Sequence, residues 1–159
     1  MIDAKMLCEI NFFAGLTPKE LRQLSTIIKI VKLKKNEKIF SRGDSAEDFY
    51  IVGSGKVHLS FQISVLHADE EIGVDIIGAG GVFGWSALVR PHQKLTLSAY
   101  CDEDSELMQM RGEDVLSVCA KKHHLGYILM GNLAKVIGSR MNRIQGLLVR
   151  EIELNVPSF

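Results

Sequence analysis

Residues 43–59 read GDSAEDFYIVGSGKVHL. Gly43, Gly53 and Gly55 suit tight turns at positive φ, and Asp44 is placed to cap the first turn with its carboxylate. Phe49–Val52 and the run from Val57 are short and apolar, so the spacing predicts two strands folded about Gly53-Ser54-Gly55. The same texture continues on both sides. IKIVKLKK (28–35) alternates apolar residues with lysine, as a half-buried strand does. EIGVDIIGAGGVFG (71–84) supplies another strand and then a run of glycines. LTLSAYCDEDSELMQM (95–110) supplies two more strands about Asp102-Glu103-Asp104. Short strands with turn residues recurring about every eight to twelve positions predict a sandwich or barrel, not a parallel sheet.

Helical patterning flanks residues 29–110. In the lead-in, 1–28, Thr17-Pro18-Lys19-Glu20 is a capping box with proline at the first helical position, and Leu21, Leu24, Ile27 and Ile28 form a stripe. After Gly112 a short helix, Glu113 to Cys119, precedes a long one from about Leu125 to Leu154. Its apolar residues fall at Leu129, Leu133, Ile137, Met141, Ile144, Leu148 and Ile152. The predicted fold is therefore mainly β, a single domain over 1–159, with C-terminal helices over 111–155.

These residues resemble a known family. FFAGLTPKELRQL, then GDSAEDFYIVGSGKVHL, then GGVFGWSAL, a strand pair and a long terminal helix look like the cyclic nucleotide-binding domain. More narrowly, the order resembles the sensory half of catabolite-activator-type (Crp/Fnr) regulators. The resemblance implies an eight-stranded double-stranded β-helix (jelly roll) with the ligand held inside. It also implies a phosphate-binding cassette of the form Phe-Gly-Glu-(apolar)-Ala-Leu, followed by an arginine. There the glutamate takes the ribose hydroxyl and the arginine neutralises the cyclic phosphate. Here Phe83, Gly84, Ala87 and Leu88 are kept, but Trp85 stands in the glutamate's place. Counting back from Ala99, Gln93 falls at the arginine's place, with Lys94 next.

The substitutions change the expected chemistry. An indole only donates, so Trp85 cannot accept from a ribose hydroxyl. A lysine offers a point charge where arginine offers a fork. The glycine-led turn keeps its backbone N–H groups for an anion, with the hydroxyls of Ser86 and Thr96 close by. The candidate ligand-binding residues are Phe83, Gly84, Trp85, Ser86, Ala87, Lys94 and Thr96, with Arg90 as a further source of charge. Asn142 and Gln145 are candidates on the long helix, because the family lets that helix touch the ligand base. Trp85 either stacks on a planar ligand or fills the pocket with its own indole. No cofactor is expected beyond a cyclic nucleotide or another small anionic ligand, and cAMP is expected to bind weakly.

Other chemistries fare less well. Lys plus Arg and Asp plus Glu are 19 each, so no global field draws nucleic acid or an anionic membrane. No apolar run approaches the roughly 18–20 residues that span a bilayer, and MIDAKMLCEI lacks a signal-peptide core, so a cytoplasmic protein is expected. Cys8, Cys101 and Cys119 form no CxxC pair and read as buried, reduced thiols. His58 and His67 lie nine apart with no His-x-His, and His123-His124 point to different faces, so no metal site is expected. DEEIGVD (69–75) reads as a solvated hairpin, not a calcium loop. No nucleophile–base set presents itself, so no enzyme is expected.

The resembled regulators carry a helix-turn-helix after the long helix, and ELNVPSF reads as a natural end, so no DNA-binding domain is expected. The principal reading is a sensor of a small-molecule effector. The alternatives are the effector half of a truncated regulator, or a dimeric interaction module with an empty or degenerate pocket. The stripe from Leu129 to Ile152 is longer than a small roll can cover from one side, which predicts a homodimer along this helix. Gly138 would let two backbones approach, with Arg140, Arg143 and Arg150 in solvent at the edges.

Overall fold

The structure, a computed structural model, describes residues 3–65, 68–89 and 91–155. His67, Arg90 and the terminal VPSF lie outside the described residues. A short helix α1 (Ala4–Cys8) and a 3-10 turn (Asn11–Phe13) lead into α2 (Pro18–Ser25). Thr17 and Glu20 form the expected capping box, with Thr17 N–H donating to Glu20 Oε2 at 2.8 Å and Glu20 N–H donating back to Thr17 Oγ1 at 3.3 Å. The helix stops at Ser25, so Ile27 and Ile28 pack against the core from the connecting loop, not from the helix.

Eight strands follow, namely β1 (Lys29–Leu33), β2 (Lys38–Phe40), β3 (Asp48–Ser54), β4 (Val57–Val65), β5 (Ala68–Ile77), β6 (Val82–Phe83), β7 (Ser98–Cys101) and β8 (Ser105–Arg111). They form two antiparallel sheets, ordered β1-β8-β3-β6 and β2-β7-β4-β5. The jelly roll is as expected, but the pairing of neighbours is not. β3 and β4 do not form a hairpin about Gly53-Ser54-Gly55, because they belong to different sheets. Gly55 turns the chain at φ +85°, where a Cβ would meet Asp104 O at 2.6 Å. Gly53 does not take positive φ; it sits inside β3 beside the bulge opposite Glu106. Gly43 does turn at φ +91°, and Asp44 Oδ2 accepts from Ser41 N–H at 2.8 Å as predicted.

The period of two explains how one sheet serves two cores. On β3, Phe49 and Ile51 face a core shared with the helices, while Tyr50 and Val52 face the roll interior. β8 divides likewise, with Met108 and Met110 outward and Leu107 inward. The outer core is closed by α4 (Gly112–Lys121) and α5 (His123–Asn155), whose Leu125, Leu129 and Leu133 are almost fully buried. Glu20 of α2 accepts from His124 at 2.8 Å and ties the lead-in to α5. Cys101 is buried and Cys119 half-buried, and burial pushes both thiols up from their ordinary value. Cys8, expected inside, is exposed.

Candidate functional site

Between β6 and the short helix α3 (Ser86–Val89) the chain makes the turn that the sequence singled out. Gly84 takes φ +69°, and a Cβ there would lie 2.7 Å from Asp48 O and 3.0 Å from the Tyr50 ring. Only glycine fits. Phe83 is fully buried and stacks on Tyr50 at 4.9 Å and 8°, which anchors the turn to β3. The same burial pushes the Tyr50 phenol well above its ordinary range. Ala87 is also fully buried, and a Cβ on Gly112 would meet its carbonyl at 2.4 Å. Phe83 and Ala87, expected as ligand contacts, thus build the frame of the turn and are not among the described residues that line the cavity beside it. Ala87 N–H is used internally, donating to Gly84 O at 3.1 Å. Among the described residues, the N–H groups of Trp85 and Ser86 have no hydrogen-bond partner.

The turn opens on a cavity of about 340 Å³. The size falls in the small-ligand range of about 300–1,000 Å³. Its floor is Phe40, Leu59, Phe61 and Val74 from the sheet, and its rim is Gly84, Trp85, Ser86 and the 95–97 segment. Ile137, Arg140, Met141 and Ile144 of α5 form the remaining wall, at steps of three and four residues on one helix face. Trp85 is half-buried, packs against the outer core and leaves the cavity open, so it does not fill the pocket.

Three expected residues lie elsewhere. Lys94 is exposed and bridges Ser45 along the backbone, whereas Leu95 beside it is buried and turns inward. Gln93 is exposed as well. A one-residue step along an extended segment reverses the face, which is why the register decides this wall. Asn142 and Gln145 are exposed and each falls one position past the lining residues Met141 and Ile144. Gly84, Trp85, Ser86 and Thr96 line the cavity.

Arg140 is the residue that sequence reasoning missed. It was expected at a solvent edge, yet its side chain is 10% exposed. Nε donates to Asp75 Oδ2 at 3.3 Å, Nη2 donates to Val82 O at 3.0 Å, and Arg143 Nη1 donates to Asp75 Oδ1. Asp75 was expected on a solvated hairpin, but its side chain is only 5% exposed. Burial pulls the Arg140 guanidinium below its ordinary value, and Asp75 opposes that shift. The available signal was an arginine on the same helix face as Ile137, Met141 and Ile144, together with an aspartate inside the strand pattern EIGVDII. Among the described residues, no three His, Cys, Asp or Glu side chains gather as a metal ion would need.

Residues 30–122 match the family described as the cyclic nucleotide-binding domain. This chain belongs to that family. Within it the chain is of the Crp/Fnr type. This cyclic nucleotide-binding domain is 27% identical over 147 residues to the Cyclic AMP receptor protein of Thermus thermophilus. That alignment takes in 92% of this chain and 62% of the relative, so the chain spans under two thirds of its length. A putative cyclic nucleotide-binding protein from Geobacter metallireducens superposes with TM-score 0.75 at 25% identity, covering 89% of this chain and 99% of the other. The catabolite activator protein of Thermus thermophilus superposes with TM-score 0.69 at 26% identity, covering 86% and 62%. Among the described residues, no helix of the domain is long and apolar enough to cross a membrane.

Proposed function

We propose that this domain is a sensor whose cavity takes a small anionic or nucleotide-like effector and binds cAMP only weakly. One observation carries the reading: the cavity beside the cassette turn presents Trp85 and Leu95 as walls, while Gln93 and Lys94 face outward. A cyclic phosphate placed there finds no free basic side chain from the 93–97 segment. Each missing charged hydrogen bond costs about 1.5–3 kcal/mol, so two together lower affinity by about a hundredfold or more. The open turn, with the N–H groups of Trp85 and Ser86 unpaired and the hydroxyls of Ser86 and Thr96 at the rim, supports an anionic end on the ligand. Titration calorimetry with cAMP and cGMP tests this. Weak or undetectable heat is expected, and a sub-micromolar constant for either nucleotide overturns it.

The second element of the proposal is a homodimer along α5, read as the route by which occupancy is reported. Leu148 is 60% exposed and Ile152 54%, with Met141, Ile144, Leu147 and Val149 beside them. A contiguous apolar stripe of this kind on a helix fits a partner helix. This observation also favours a dimeric interaction module should the cavity prove to bind nothing. Ile144→Lys with Leu148→Lys is expected to give a folded monomer by sedimentation. An unaltered protein that is monomeric at high micromolar concentration rules the seam out.

A further inference from the structure

The charged residue in the cavity wall belongs to the helix, and the cluster that holds it carries an excess positive charge. Asp75 is shared by Arg140 and Arg143, so two cations meet one carboxylate. Among the described residues, no acidic side chain lines the cavity. Arg140 offers five N–H donors, of which one on Nε and one on Nη2 are engaged. Among the described residues its Nη1 makes no hydrogen bond, and Arg140 is the one charged residue that lines the cavity. The rest of the surface is aliphatic or aromatic apart from Ser86 and Thr96.

We propose that Arg140 reads the ligand's charge and that the ligand is a mainly apolar organic acid with a single carboxylate-like group, not a phosphodiester. The inference rests on the effector-cavity reading above and names the ligand class for it. A buried polar group without a partner costs free energy, so the ribose and base edges of a nucleotide suit this lining poorly. An apolar body against Phe40, Leu59, Leu95, Leu97 and Met141 removes that surface from water. Its carboxylate then meets a cation in a desolvated wall, where a charge-assisted fork is strongest. Arg143 already holds the other Asp75 oxygen, so Arg140 can turn part of its fork to the ligand without stranding the aspartate. Val82 O, one residue before Phe83, is the second group on Arg140, which places this α5 residue against the cassette strand.

Trp85 is the single tryptophan and lines the cavity, so its emission reports occupancy there. The probes are 4-phenylbutanoate and its uncharged analogue 4-phenylbutanamide, titrated into the full chain. The unaltered protein is expected to prefer the acid by about tenfold or more, the size of one charged hydrogen bond. Asp75→Asn with Arg140→Gln removes both charges and should bring the ratio of acid to amide affinity to about one, whatever the amide affinity itself does. Arg140→Lys keeps the charge, loses the fork, and should retain a reduced preference. Thermal melts establish that each variant is folded. An acid preference that survives in the Asp75→Asn, Arg140→Gln protein assigns the charge reading to the cassette turn, which overturns this inference and leaves the effector cavity standing. Equal affinity for acid and amide in the unaltered protein overturns it too. If neither probe moves the Trp85 emission, the inference falls together with the apolar-cavity reading.

Discussion

From Leu125 to Leu133, α5 buries every fourth side chain, with Leu125, Leu129 and Leu133 no more than 2% exposed. From Met141 to Leu154 the same helix shows seven large apolar side chains at 41–71% exposure. The apolar repeat is continuous across both halves, yet among the described residues only the first half is packed into the core shared with α4 and β3. Between the halves, Ile137, Arg140, Met141 and Ile144 close the cavity. Burial is therefore decided by what the helix meets, and the midpoint of α5 is where the cavity wall gives way to the exposed apolar stripe.

The largest effect that sharpens this contrast is a truncation in each half. Leu129→Ala is expected to cost about 2–5 kcal/mol of stability, as fully buried leucines do. Leu148→Ala should change it by less than about 0.5 kcal/mol when denaturation is followed at low protein concentration, where a dimer would not contribute. Equal losses at both sites would erase the distinction between the halves.

Glycines give the next test. A Cβ on Gly126 would lie 2.9 Å from the Cys119 carbonyl oxygen, so Gly126→Ala should destabilise by about 1–3 kcal/mol. Gly131 has nothing within 4 Å of a Cβ, so Gly131→Ala should gain up to about 1 kcal/mol through helix propensity. Chemical denaturation of the two variants separates packing from propensity on one helix.

The smallest effect lies where α2 meets the buried half. Burial alone would raise the Glu20 carboxyl, but hydrogen bonds from Thr17 and His124 outweigh it and hold the group below its ordinary value of 4.5. A depressed carboxyl contributes stability above its unfolded value, and that contribution is lost as pH falls through the folded one. Glu20→Gln should therefore flatten the stability curve below about pH 4.5. An unaltered acid limb would show that the pair does not hold α2 to α5.

Much of this architecture was legible because its signals are local. The capping box at Thr17, the turns at Gly43 and Gly55 and the stripe of α5 are each written within a few residues. Strand partners are not local: Phe49–Val52 and the run from Val57 read as a hairpin, whereas the roll sends β3 and β4 to different sheets. The site was half legible for the same reason. Gly84, Trp85, Ser86 and Thr96 follow from the cassette pattern. The choice between Lys94 and Leu95 depends on a one-residue register, and that between Asn142 and Met141 on a rotation of about 100° per residue about the helix. Arg140 reads as a surface residue until Asp75, 65 positions away, folds against it.

The central claim is that cAMP is excluded by what lines the wall beside the cassette turn, with Trp85 and Leu95 standing where polar and charged groups would be needed. A cAMP titration by calorimetry, run side by side on the unaltered protein and on Trp85→Glu with Leu95→Arg, tests it directly. The account predicts weak binding by the unaltered chain and a gain of about a hundredfold or more in the paired variant, folded by its melting transition. Sub-micromolar binding by the unaltered chain, or the same affinity in both, would contradict it.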